Sequence, residues 1–269
     1  MTAHRLINRR VAIAEMGKAG MAIVVLGTAA CSDPTSGTST TAAASTTPTP
    51  VITGTTQRSA STSTSGAATS TTGAPATGFR RADLDFVSAY ILYRGGEAAL
   101  VDTGVDGSAA AIEESLAEAG LDWGAIGHVI LTHKHPDHVG SVDEVMTHAS
   151  GATLHAGAAE IPQITSAAVP EAVVDGDLVF DLQMIDTPGH TAGHICVLDP
   201  AAGILVTGDA LVGGGQGVEP PDPSFSEDMT TALESVAKLA GFDYEVALFG
   251  HGEPLLDGAS AAVAALAQA

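Results

Sequence analysis

Two hydrophobic rhythms run through the chain from Phe79 onward. Short apolar runs bounded by turn residues read as strands, because an extended backbone repeats every two residues and a strand needs only about four to eight of them. FVSAYILYR and AALVDTG are two such runs, and the Arg94-Gly95-Gly96-Glu97 segment around which they fold predicts a hairpin turn. HVILTH, ATLHAG, DLQMIDTPG, CVLDP, GILVTGD and EVALFGHG follow as further strands. Elsewhere the apolar residues recur at helical spacing. SAAAIEESLAEAG, Ser108 to Gly120, places a serine where an N-cap belongs and a glycine at its end. SVDEVMTHA, DMTTALESVAKLAGF and ASAAVAALAQA complete the predicted helices. Strands and helices interleave, so the expected class is α/β or α+β with helices outside the sheets.

Before Phe79 neither rhythm continues. Residues 1–31 read as a targeting segment. Arg5, Arg9 and Arg10 precede a 12-residue apolar run, Ala19 to Ala30, shorter than the roughly 20 residues a bilayer span needs. The arginine pair in NRRVAI resembles a twin-arginine signal. TAAC resembles a bacterial lipobox, in which the cysteine, here Cys31, is lipidated and becomes the mature N-terminus. Residues 32–78 are Ser, Thr, Ala, Gly or Pro except at Asp33, Val51, Ile52, Gln57 and Arg58. Such a segment cannot bury enough apolar surface to offset its ordering entropy and reads as a tether. The expected organisation is a signal over 1–31, a linker over 32–78 and a catalytic domain over 79–269. The protein is expected to be exported, either membrane-anchored or extracellular or periplasmic, and to meet the membrane only through a lipid at Cys31.

Charge narrows the partners. From Phe79 onward there are 29 acids against five bases, Arg80, Arg81, Arg94, Lys134 and Lys238, a balance of −24. That field repels phosphate backbones, so no nucleic-acid partner is expected. It also disfavours strongly anionic substrates unless bound metal inverts the local field. Of the two cysteines, Cys196 lies in an apolar strand run, where a free buried thiol is expected.

The chemistry concentrates in THKHPDHVG, Thr132 to Gly140. Imidazole and carboxylate are common zinc ligands. His133 and His135 alternate, so an extended segment turns them to one side. Pro136 then fixes a turn that offers Asp137 and His138. Three later strand ends carry partners: His190 in IDTPGHTAGH, Asp209 in ILVTGDALVGGG and His251 in EVALFGHGEP. Groups of this kind gather on loops at one edge of a sheet scaffold. His128, His148 and His155 stand apart from this pattern and read as non-ligands. Tyr90 and Tyr244 read as core aromatics.

THKHPDH resembles the HxHxDH motif of the metallo-β-lactamase superfamily, and His190, Asp209 and His251 fall in that family's order and flanking sequence. The resemblance implies an αββα sandwich of two mixed sheets with helices on the outer faces and the site along one edge. It also implies that His133, His135 and His190 hold one metal, that Asp137, His138 and His251 hold a second, and that Asp209 bridges them. Two Zn2+ ions are expected, with iron or manganese as alternatives. Asp102, in LVDTG, matches a family position that orients a ligand imidazole rather than binding metal. His194 is read in the same supporting role.

Two adjacent metals can lower the pKa of a shared water and supply hydroxide at ordinary pH. Asp137 is then the catalytic side chain that orients the nucleophile and shuttles its proton. The expected reaction is hydrolysis of an ester, lactone or thioester of a neutral small molecule. An aspartate at 209, where true β-lactamases carry Cys or Ser, and the lack of a following basic residue turn the reading from β-lactams toward a glyoxalase II- or lactonase-like branch. Two alternatives stand beside it: a mononuclear iron oxidoreductase similar to persulfide dioxygenases, and a non-catalytic, tethered metal-binding lipoprotein.

Overall fold

The computed structural model describes residues 77–215 and 217–269. The expectations for residues 1–76, namely the signal, the lipid anchor at Cys31 and most of the linker, lie outside the described residues.

The strands are β1 Gly78–Asp83, β2 Ser88–Arg94, β3 Glu97–Val101, β4 Ile126–Leu131, β5 Thr153–Gly157, β6 Glu171–Val173, β7 Leu178–Val179, β8 Leu182–Asp186, β9 Ile195–Asp199, β10 Ile204–Gly208, β11 Val212–Gly214, β12 Gly217–Glu219 and β13 Val246–Phe249. The helices are α1 Ala109–Glu118, α2 Pro136–Val139, α3 Val142–His148, α4 Met229–Leu239 and α5 Ala259–Leu266. One sheet runs β1-β2-β3-β4-β5-β6 and the other β13-β10-β9-β8-β7, with β11 and β12 as a separate ribbon. Both main sheets are mixed. β1 to β3 pair antiparallel and β3 to β6 parallel. β10 is parallel to β13 and antiparallel to β9.

Strand alternation builds the layers. On β2, Ala89, Ile91 and Tyr93 face one core cluster together with Ile112 and Leu116 of α1 and Val142 and Val145 of α3. Tyr90 and Leu92, on the other face, join Met184, Val197, Val206 and Leu248 of the second sheet. The opposite faces of β9, β10 and β13 send Cys196, Leu205 and Phe249 against Val236 and Leu239 of α4 and Val263 of α5. Three clusters separate four layers, which is the αββα sandwich. Full burial of each large side chain contributes about 1.5–3 kcal/mol relative to leaving it exposed, and the inter-sheet cluster includes Val101, Ile130, Val206 and Leu248 of the strands that lead to the site.

Local expectations meet several corrections. Ser108 occupies the N-cap of α1, yet its side chain caps nothing, because its backbone is already helical (φ −76, ψ −11). Asp228 does cap α4, with Oδ1 accepting from the Thr230 and Thr231 N–H groups at 2.9 and 3.2 Å. β1 takes in Gly78, the last residue assigned to the linker, by pairing it with Tyr93. Composition does not register backbone pairing of a glycine. The short strands β6, β7, β11 and β12 carry too few residues to show a period, and α2 spans a single turn inside the histidine motif.

Candidate metal centre

The C-terminal ends of β3, β4, β8, β10 and β13 converge on one edge of the sandwich. β4 delivers His133 and His135, and Pro136 opens α2, which presents Asp137 and His138. β8 leads to His190, β10 to Asp209 and β13 to His251. Ligand atoms of His133, His135, His190 and Asp209 lie within 4.8 Å of one another, as do those of Asp137, His138 and His251. Asp209 reaches both groups. Its Oδ2 is 3.5 Å from His190 Nε2 and 3.2 Å from His251 Nε2, and its Oδ1 is 3.3 Å from His138 Nε2. Close approach here requires a glycine: a Cβ at Gly250 would collide with Asp209 and His138.

Hydrogen bonds decide which imidazole nitrogen faces the centre. Asp102, buried at a left-handed φ of 62° after β3, accepts the Thr132 N–H on Oδ1 and the Thr132 hydroxyl on Oδ2, each at 2.8 Å. The same Oδ2 is 2.8 Å from His138 Nδ1, so that nitrogen carries the proton. Because the Thr132 hydroxyl donates to Asp102, its oxygen accepts from His133 Nδ1 at 3.0 Å. His251 Nδ1 donates to the Phe86 carbonyl at 2.7 Å. Ser226 donates to the Asp222 carbonyl, which leaves its oxygen to accept from His190 Nδ1 at 3.2 Å. Four rings thereby turn Nε2 inward, and His135 alone turns Nδ1 inward. Such outer partners fix tautomer and orientation at metal sites.

The inward nitrogens then face one another. His135 Nδ1 is 2.9 Å from His133 Nε2 and 3.0 Å from His190 Nε2. Both Nε2 atoms are lone-pair acceptors, so one ring proton satisfies only one contact. His138 Nε2 and Asp209 Oδ1 are buried without a hydrogen-bond partner. Buried polar atoms are almost always partnered, and a cation at the centre meets the need of every atom named. The residues present fit a divalent metal.

Protonation follows the same logic. Burial holds His133 and His194 well below the usual histidine range, lowers His135, and brings His190 down to about 4. These rings are neutral, the form that binds metal. For His138 burial works in the same direction but is outweighed by Asp209 and Asp102, which hold it well above the usual range. Hydrogen bonds to Asp137 and Asp209 push His251 up to about 10. Burial raises Asp137 and Asp209, and the neighbouring imidazoles outweigh it and keep both ionised. The carboxylates thus demand positive charge at the centre, which protons or a metal can supply.

His194 lies outside the ligand groups. Its Nε2 accepts the Asp209 N–H at 3.1 Å and its Nδ1 is 2.8 Å from the Thr187 hydroxyl, so it positions Asp209. Two further supports have no motif signal. Thr132 relays Asp102 to His133, as above. Glu160, fully buried, accepts the backbone N–H of Lys134 at 2.9 Å and of Gly193 at 2.6 Å, and so ties the two ligand-bearing loops together. Only its distance in sequence hid it. Tyr90 and Tyr244 are core residues, bonded to the carbonyls of Phe249 and Leu239. Cys196 is a free buried thiol, pushed up to about 12 by burial. His128, His148 and His155 stand away from the cluster: His128 and His148 line a separate hollow with Trp123 and Phe180, and His155 contacts His128.

Above the metal cluster opens a cavity of about 770 Å³ whose floor includes His135, Asp137, His190, Asp209 and His251.

Comparison with known proteins agrees with this geometry. The metallo-beta-lactamase superfamily pattern matches residues 82–251. The probable metallo-hydrolase YflN of Bacillus subtilis is 28% identical over 203 residues, covering 58% of this chain and 75% of that protein. A hydroxyacylglutathione hydrolase of Fuscovulum blasticum is 34% identical over 167 residues, covering 61% of this chain and 60% of its own. Thioesterase pkgB of Emericella nidulans is 29% identical over 178 residues, with 65% and 48% covered. The chain thus spans less than two thirds of the latter two relatives. Among solved structures, a metallo-beta-lactamase family protein from Thermus thermophilus superposes with a TM-score of 0.56 at 25% identity, covering 68% of this chain and 74% of its own. A subclass B3 metallo-beta-lactamase of Bradyrhizobium japonicum, at 21% identity and a TM-score of 0.55 over 71% of this chain and 87% of its own, shares the fold. With the pattern spanning well over half its length and both ligand groups in place, this chain belongs to the metallo-β-lactamase superfamily.

Proposed function

We propose that the protein is a dinuclear, zinc-dependent hydrolase that cleaves an ester, lactone or thioester of a small neutral molecule. The observation that carries the reading is the crowding of neutral His133, His135 and His190 nitrogens around Asp209, beside the buried, unpartnered His138 Nε2 and Asp209 Oδ1. His133, His135 and His190 would hold one ion, Asp137, His138 and His251 the other, with Asp209 shared. When bound, the ions supply Lewis acidity and bring water deprotonation into the neutral range.

The chain's own groups do the rest. Asp137 is a quarter exposed where Asp209 is nearly closed off, so it is the cluster carboxylate that substrate and solvent reach. Held ionised by His251, it takes a proton from the attacking water and returns it to the leaving group. The cavity walls orient the acyl group above it.

The test is metal analysis and turnover on one sample. About two zinc equivalents per chain, with turnover of neutral esters or lactones that chelation abolishes, is the expected result. Less than one metal after reconstitution would overturn the reading. Oxygen uptake by iron-loaded protein with a persulfide, without ester turnover, would replace it with the oxidoreductase. The proposal extends to place: the TAAC and paired-arginine patterns support export and lipidation at Cys31. Cys31→Ser is then expected to release the protein from the membrane fraction, and unchanged membrane association would reject the anchor.

A further inference from the structure

Every described base of the domain is committed away from the cavity. Arg81 pairs with Glu253, Arg94 with Asp199, Lys134 with Glu227, and Lys238 with Asp175. Arg80 turns to the Phe79 carbonyl and the Tyr93 hydroxyl. None of the five lines the cavity, so among the described residues no lysine or arginine anchors a substrate carboxylate there, and positive charge is confined to the metal-binding floor.

Away from the histidines of the floor, the lining is apolar and acidic. Phe86 and Phe225 stand 58% and 68% exposed and both line this cavity, so their apolar faces form one patch open to a ligand. Phe86 also stacks on His251, with ring centroids 6.1 Å apart and planes 8° apart, so one wall is continuous with the metal cluster. Pro220, Pro221 and Val212 extend the apolar surface. Glu219 and Asp222 supply the remaining charge. Asp137 and Asp209 are engaged by the imidazoles of the floor, whereas Glu219 and Asp222 pair with no described base. The β11–β12 ribbon fixes Glu219: it stands opposite Val212, and its side chain lies across Gly214, where a Cβ would displace the carboxylate.

We propose that Glu219, Asp222 and the exposed faces of Phe86 and Phe225 make this cavity selective for acyl substrates bearing an ammonium group on an apolar body, and against those bearing a carboxylate. Carboxylates attract the ammonium by charge, and aromatic faces attract it through their quadrupole. The inference rests on the hydrolase reading and names the substrate class of that site. It separates this chain from a role on acyl donors whose distal carboxylate would lie beside Glu219 and Asp222, away from the metal-binding floor.

The experiment uses the zinc-loaded full chain and three matched aryl esters with a distal ammonium, a neutral group or a carboxylate. The matched non-hydrolysable amides are titrated in parallel by calorimetry. The ammonium ester is expected to exceed the carboxylate ester by about tenfold or more in kcat/KM at low salt, with the gap shrinking as salt rises. In the double variant Glu219→Gln, Asp222→Asn that ratio falls toward one. An equal removal of charge elsewhere, Glu118→Gln with Glu144→Gln on α1 and α3, leaves the ratio intact. Esters that turn over with a wild-type ratio near one overturn the charge selection while the hydrolase reading stands. Amides that bind with the ammonium preference while no ester turns over preserve the selection and defeat the hydrolase reading. Amides that do not bind, or bind alike, overturn the selection whatever the esters do.

Discussion

Both ends of the sandwich carry histidines, and the two ends use them differently. At the C-terminal ends of β3, β4, β8, β10 and β13, five imidazoles and two carboxylates meet, and each imidazole has its outer nitrogen fixed or its inner nitrogen crowded by a neighbour. Toward the other end, His128 Nδ1 and His155 Nε2 satisfy each other in one 3.1 Å contact. His148 stacks on Trp123, with centroids 5.1 Å apart. Among the described residues no third His, Cys, Asp or Glu completes a ligand group there. The lesson is that histidine number does not make a metal site. Lone pairs that converge without donors, next to carboxylates that need positive charge, do.

The comparison can be broken most directly by truncating one ring at each end. His133→Ala is expected to lose metal and about 10³-fold or more in turnover, in line with the several kcal/mol a metal contributes to the transition state. His128→Ala is expected to retain the metal content of the parent. Metal analysis and ester kinetics on both variants check this, and equal metal loss in the two would erase the distinction.

A finer test asks whether outer partners set the inner geometry. Asp102→Asn removes the acceptor that orients His138 and, through Thr132, His133. Metal affinity, measured by chelator competition, is expected to fall about 10- to 100-fold while the fold persists. An unchanged affinity would show that packing alone orients the rings.

Glu160→Gln probes the brace between the loops. The glutamine retains one acceptor oxygen for two backbone donors, and the lost charge-assisted bond costs about 1.5–3 kcal/mol. Chemical denaturation of the metal-free chain isolates that cost, and metal affinity should fall with it. A denaturation midpoint equal to that of the parent would remove Glu160 from the account.

The smallest effect lies at the other end. Burial, then His128, lowers His155 below its usual range. The unfolded chain therefore binds this proton first as pH falls, so its stability contribution is full above about pH 6.5 and is lost below it. His155→Gln is expected to flatten the decline of stability between about pH 6.5 and 5 by less than about 1 kcal/mol. Denaturant midpoints of both chains at pH 7 and 5 decide it, and an identical decline would assign the acid sensitivity elsewhere.

The strands and the larger helices were legible wherever a run was long enough to show its period, as in FVSAYILYR and DMTTALESVAKLAGF. β6, β7, β11 and β12 were not, since two or three residues define no period, and β1 was not, since GFRRAD holds too few apolar residues to show alternation. Asp102 was readable as a supporting residue through the family resemblance of LVDTG, and His194 because it lies four residues past His190. Glu160 was not, since it reaches the ligand loops from 26 and 33 positions away through backbone N–H groups, which no motif encodes.

By itself the sequence determined the alternation that builds the layers and the order of seven metal-capable side chains at strand ends, because both are properties of neighbouring residues. Only the tertiary structure decided which imidazole nitrogen faces inward, which atoms lack partners, and how the five bases are drawn away from the cavity. Those outcomes depend on contacts between segments far apart in the chain, and hydrogen bonding and burial act on distance in space rather than on distance along the sequence.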